Sequence, residues 1–135
     1  MTTEIKNRYI EAVGRRKTAT ARVRITPSAK ESFVINDKDI TKYFDTKDLQ
    51  AIASEAIKKS EVGEKFTVTV KVVGGGIHAQ AEAIRHGLSR TLVERNQEVK
   101  DALKKLGFLK RDPRSVERKK FGLKKARKGP TWSKR

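Results

Sequence analysis

The sequence predicts an α+β fold, an antiparallel-rich sheet backed by helices and followed by an extended basic tail. Three observations carry this. Residues 18–25 and 65–73 alternate polar and apolar side chains with period 2, the mark of strands with one buried face. Residues 77–92 switch to a helical period directly after "GGG". Beyond Gly107 the apolar periodicity stops while positive charge accumulates. A chain of 135 residues suits one compact domain plus an extension, here residues 1–106 and 107–135.

Four strands are expected. "RYIEAVG" reads as the first, residues 8–14, ending at Gly14. In "RRKTATARVRI", Ala19, Ala21, Val23 and Ile25 alternate with Thr18, Thr20, Arg22 and Arg24. Extended back, the polar face takes in Arg16. Three arginines and no acid on one face point toward RNA, although charged strand faces are commonly just solvated. "SFVIND" is a short strand running into a polar turn at Asn36–Asp39. "KFTVTVKVV" puts Phe66, Val68, Val70 and Val72 on one face, and Thr67, Thr69, Lys71 and Val73 on the other.

Three helical features complete the domain. Thr46 can cap a helix reaching about Lys59, with Leu49, Ile52, Ala53, Ala56 and Ile57 as its apolar stripe. Ile77, Ala81, Ile84, Leu88 and Leu92 mark a longer helix to about Arg95. Gly87 inside it costs about 1 kcal/mol relative to alanine, which implies close backbone approach to the sheet or a ligand. A shorter helix turns Val99, Ala102, Leu103 and Leu106 inward and stops at Gly107.

The tail differs in kind. From residue 107 onward 12 residues are basic and 2 acidic, which accounts for +10 of the formal net charge of +17. Ordering its backbone costs about 1–2 kcal/mol per residue, and little apolar surface is there to offset that cost. The tail is therefore expected to be mobile when free and ordered against a polyanion. Its last twenty residues can extend on the order of 60 Å, well past a domain whose radius of gyration is about 13 Å. Phe121 and Trp132, set between basic clusters, suit base stacking.

Several chemistries are unsupported. No cysteine is present, which excludes disulfides and thiolate metal sites. No signal peptide, transit peptide or membrane-length apolar run is visible, so a cytoplasmic protein is expected. "VVGGGIHAQ" lacks the Lys-Ser/Thr pair of a phosphate-binding Walker loop. It reads either as a tight turn with positive φ or as a bare backbone surface for nucleic acid. His78, Glu82 and His86 recur every four residues, but the outer pair stand about 12 Å apart along a helix, too far for one ion. No nucleophile sits beside a base. Neither enzyme activity, metal nor cofactor is expected.

Three motifs in order, "GRRKTATARVRI", "VVGGGIHAQAEAIRHGLSRTL" and "DPRSVERKKFGLKKARKGPTWSKR", resemble the family of small ribosomal subunit protein nine in its bacterial form. The resemblance runs from about Arg8 to Arg135. It implies a two-layer α/β sandwich with a four-stranded mixed sheet and a left-handed βαβ crossover, a fold shared with small-molecule kinases. A nucleotide-binding enzyme is accordingly the alternative reading, though the kinase phosphate loop is longer and carries serine.

The family role implied is structural: a constituent of the small-subunit head, bound to the 3′ major domain of 16S-type rRNA beside neighbouring head proteins. It implies assembly of the head, with no membrane and no small-molecule substrate. The rRNA contacts implied near the start are Arg15, Arg16, Lys17, Thr18, Arg22 and Arg24. In the middle they are Lys71, Gly74, Gly75, Gly76, Gln80 and Arg85. Along the tail they are Arg118, Lys119, Lys120, Lys124, Lys125, Arg127 and Lys128. The closing Ser133, Lys134 and Arg135 would touch the anticodon stem-loop of the peptidyl-site tRNA. "KGPTW" departs from the family pattern, which bears on stacking by Trp132 and leaves the terminal pair unaffected.

Overall fold

The computed structural model describes residues 9–60, 64–115 and 117–130. Its strands are β1 (Ile10–Arg16), β2 (Ala19–Pro27), β3 (Ser32–Ile35), β4 (Lys38–Asp39) and β5 (Phe66–Val73). Its helices are α1 (Ile40–Tyr43), α2 (Lys47–Ser60), α3 (Ile77–Arg95) and α4 (Lys100–Lys105), with a 3₁₀ turn at Gln97–Val99 before α4. Among the described residues, no helix is long and apolar enough to cross a membrane.

The strands form one mixed sheet in the order β1-β2-β5-β3-β4. β5 runs antiparallel to β2 and parallel to β3, so the chain from β3 through α2 to β5 is a crossover between neighbouring strands. The sheet has five strands rather than the expected four. Asn36 and Asp37 both take positive φ, 48° and 66°, as the two central residues of a type I′ hairpin turn must. That turn folds Lys38–Asp39 back onto Val34 and Ile35 as the extra strand. Asn36 also lengthens the β3–β5 pairing: its side-chain amide donates to the Val72 carbonyl and accepts from the Val72 N–H, each at 3.0 Å.

One sheet face is buried. Ala19, Ala21, Val23 and Ile25 of β2 join Phe66, Val68, Val70 and Val72 of β5 under the helices. α3 lies on β1 and β2, and α2 packs beside it. The first strand does not end at Gly14 but continues to Arg16. Gly14 lies under α3: a Cβ there would fall 1.9 Å from the Ala83 carbonyl oxygen and 2.3 Å from the Gly87 nitrogen. The close approach implied by Gly87 is thus to the sheet.

Two helical stripes differ from expectation. Ile77 is about half exposed at the first position of α3, beside the glycine turn. In α4, Leu103 is buried but Ala102 and Leu106 are exposed. As expected, Val99 is buried, in the 3₁₀ turn just before that short helix. Gly107 (φ 80°) then closes it with a Schellman motif. The Phe108 N–H reaches the Leu103 carbonyl at 3.2 Å and the Gly107 N–H that of Lys104 at 3.1 Å. Phe108 is turned back into the core.

Candidate nucleic-acid interface

Opposite the helices, the sheet face is open, and its register shows what it carries. Arg15 pairs with Thr20 and Thr20 with Val73. Val13 pairs with Arg22 and Arg22 with Lys71; Glu11 pairs with Arg24 and Arg24 with Thr69. Cross-strand partners share a face. Arg15, Arg22, Arg24 and Lys71 therefore stand together, interleaved with threonines. The face expected to hold no acid does hold one. Glu11 of β1 lies 3.0 Å from Arg22 Nε and 3.4 Å from Arg24 Nε. Periodicity along β2 could not reveal a carboxylate supplied by its neighbour. Arg24 also lies over the Tyr9 ring, 4.6 Å from its centroid. The Arg22 side chain nevertheless stays 59% exposed, so its charge is available to a ligand.

Two turns meet at one end of this face. β1 and β2 are joined by Lys17 and Thr18 alone, with Lys17 at φ 55°. Against them lies the glycine turn, where Gly74 and Gly75 take φ of 76° and 64°. A Cβ on Gly74 would come within 2.6 Å of the Thr18 carbonyl oxygen, and one on Gly75 within 2.9 Å of the Ala19 Cβ. These two glycines therefore satisfy a packing demand of the fold. Gly76 does not: a Cβ there would meet nothing within 4 Å. It is the N-cap of α3 and supplies no side-chain cap to that helix. Gln80, read from sequence with the RNA contacts, braces this turn. Its amide donates to the Gly74 carbonyl at 3.0 Å and accepts from the Tyr43 hydroxyl at 2.5 Å.

Arg16 is not on the arginine face. The two-residue turn reverses the chain, so the alternation of β2 does not extend back into β1. Arg16 pairs instead with buried Ala19, on the helix side, and Arg15 holds the open face. The Arg16 guanidinium meets Glu82 Oε2 at 2.5 Å, Asp112 Oδ1 at 3.2 Å and the Arg114 carbonyl at 3.0 Å. Arg85 is likewise engaged on the helix side, 3.1 Å from Glu55 and stacked 4.8 Å above the Phe108 ring. His78 lies 3.7 Å from Glu82. His86 is half-buried, its Nδ1 3.0 Å from the Phe108 carbonyl. Burial lowers the His86 pKa from its ordinary 6.5, and nearby Arg90, Arg111 and Arg85 act in the same direction. Hydrogen bonds from the Arg114 side chain and backbone hold the Asp112 carboxyl well below the usual carboxylate range, reinforced by the charges of Arg114 and Arg16.

Along the tail, Arg118, Lys119, Lys124, Lys125 and Lys128 are exposed. Glu117 gathers two other cations, Lys120 at 2.6 Å and Arg127 at 2.9 Å. A backbone bond of 2.8 Å from Lys124 N–H to the Lys128 carbonyl helps shape this segment. Phe121 is 97% exposed. Trp132, Ser133, Lys134 and Arg135 lie outside the described residues.

A cavity of about 730 Å³ opens elsewhere, where Phe33, Ile40, Ile57 and Phe66 line a groove between α2 and the β3 side of the sheet. The glycine turn takes no part in it. Compared with known families, residues 14–135 match the family model described as ribosomal protein S9/S16.

Proposed function

The chain belongs to the ribosomal protein S9/S16 family, whose members are structural proteins of the small ribosomal subunit, and from that premise we propose how it engages RNA. The open sheet face and the two turns at its end bind ribosomal RNA of the subunit head, and the tail follows that RNA outward. One observation carries this reading most directly. Arg15, Arg22, Arg24 and Lys71 share an unroofed face, with the Glu11 carboxylate beside Arg22 and Arg24. Double-stranded RNA presents a wide, shallow minor groove rimmed by phosphates and 2′-hydroxyls. A flat face of cations and threonine hydroxyls suits that shape. Glu11 would hold Arg22 and Arg24 in place before RNA arrives, reducing the ordering cost of binding. Gly76 leaves the uncapped N–H groups at the start of α3 open to a phosphate.

In this reading the protein is a non-enzymatic, cytoplasmic, ribosome-bound component that supports head assembly on the 3′ major domain. The exposed tail cations neutralise phosphates along the path. Ser133, Lys134 and Arg135 reach the anticodon stem-loop of the peptidyl-site tRNA. The motif resemblance and the concentration of charge after residue 107 support these finer assignments.

Phosphate contacts release counterions, so affinity must fall with salt; six contacts to single strands give a log–log slope of about −4. For binding to a 3′ major domain RNA fragment, the triple variant Arg15→Ala/Arg22→Ala/Lys71→Ala is expected to flatten that slope by about 2 to 3. Deleting Ser133–Arg135 is expected to leave this binding nearly unchanged and to speed tRNA release from the peptidyl site of reconstituted subunits. Salt-indifferent binding, or a triple variant with the parental slope, would sink the sheet-face assignment. Unchanged tRNA off-rates would sink the tail-end assignment.

A further inference from the structure

We propose that Arg16 is a positioning residue that anchors the base of the tail to the domain, and that it is not a phosphate contact. This rests on the RNA-binding reading above, because it concerns where the tail enters that interface. The Arg16 side chain is only 13% exposed. Its guanidinium joins three parts of the chain: its own strand β1, α3 through Glu82, and the tail through Asp112 and the Arg114 carbonyl. A planar fork of donors can satisfy such divergent acceptors; a lysine ammonium is a compact point charge on a flexible stem. Glu82 and Asp112, the latter shared with Arg114, already neutralise it, so RNA binding would release no counterion on its account.

Further contacts brace the same joint. Arg111 Nη2 donates to the Lys17 carbonyl at 3.4 Å, tying the tail to the β1–β2 turn. Phe108 is buried beneath Arg85, and its carbonyl faces His86. Together they hold residues 108–114 along the domain, near the end of the sheet that carries Lys17 and the glycine turn. Released at Gly107, the seven residues to Arg114 would give the tail roughly 20 Å of slack. Fastened at Arg114, the cations beyond it start from one place. Their gain is in effective concentration at the adjoining RNA, with no new contact needed.

Hydrogen exchange of the free full-length chain and salt titration of its complex with a 3′ major domain RNA fragment separate the possibilities. Arg15→Ala is expected to lower the magnitude of the salt slope by about 0.7 to 0.9, the value of one phosphate contact. Arg16→Ala is expected to leave the slope at its parental value while weakening binding. It should also speed exchange of the hydrogen-bonded amides in residues 108–114, those of Phe108 and Arg114, by about tenfold, the factor for losing one charge-assisted hydrogen bond. Arg16→Lys should not restore their protection. Asp112→Asn, a change on the tail that spares the core, should likewise speed that exchange, and it carries the test if Arg16→Ala does not fold. An Arg16→Ala slope reduced as in Arg15→Ala would make Arg16 a phosphate contact and overturn the proposal. So would parental exchange at residues 108–114 in Arg16→Ala or Asp112→Asn. A parental slope in Arg15→Ala alone would count against the sheet-face reading and leave the exchange result to judge the anchor.

Discussion

At Arg15 and Arg16 two adjacent guanidiniums point to opposite sides of β1, one to the open face and one to Glu82 and the tail. Sequence shows them as a single basic cluster, because charge is legible in letters and the side of a pleat is not. The side follows from the turn at Lys17–Thr18, whose two-residue length sets the register. Glu11 was hidden for the same reason, since its partners lie on another strand. His86 supplies a residue-scale prediction. Its pKa is lowered in the folded chain by burial and by Arg90, Arg111 and Arg85, so the fold favours its neutral form. A depressed folded pKa gives stability that is complete above the unfolded value of 6.5 and is lost as pH falls below it. Asp112, whose carboxyl is held far lower, stays charged through that window. Thermal unfolding from pH 7.5 to 5 should therefore show a loss of stability in the parent that His86→Gln reduces. Parallel curves for the two proteins would exclude this role.

Among the elements, those with a long clean period were legible: β2, β5, α2 and α3. Short ones were not. β4 is two residues long and exists because Asn36 and Asp37 both adopt positive φ. Of the inward face expected for α4, Val99 and Leu103 are buried, whereas Ala102 and Leu106 are exposed. Gly87 raised the right question, and Gly14 answers it from β1. At that crossing, two elements meet backbone to backbone, so side-chain volume is excluded from both. Gly14→Ala is expected to destabilise the domain by on the order of 3 kcal/mol, as overpacking of a close contact does. Gly87→Ala should cost less. Its nearest obstacle is a Val23 methyl at 2.8 Å, and alanine recovers about 1 kcal/mol of helix propensity. Urea denaturation measures both; a Gly14→Ala midpoint equal to the parent's would mean that α3 can lift off β1 freely.

Over the whole molecule, the concentration of positive charge after residue 107 was legible from the letters alone. How that stretch is joined to the rest was not. Arg16, Asp112 and Arg114 are scattered through the sequence, and only the fold gathers them. Net charge also overstated the surface available to RNA, because Arg16, Arg85 and Arg127 face carboxylates of the chain itself. Phe121 has a consequence of another kind. An aromatic at 97% exposure between lysines is what chymotrypsin-like proteases select. Chymotrypsin is expected to cut the free chain first after Phe121, leaving the domain whole, and RNA binding should slow that cut by at least about tenfold if it opens from the bound state. Equal cleavage rates with and without RNA would count against burial of Phe121 in the complex. Copies made in excess of their RNA would then be the ones open to destruction, and protein turnover could match supply to the number of ribosomes being built.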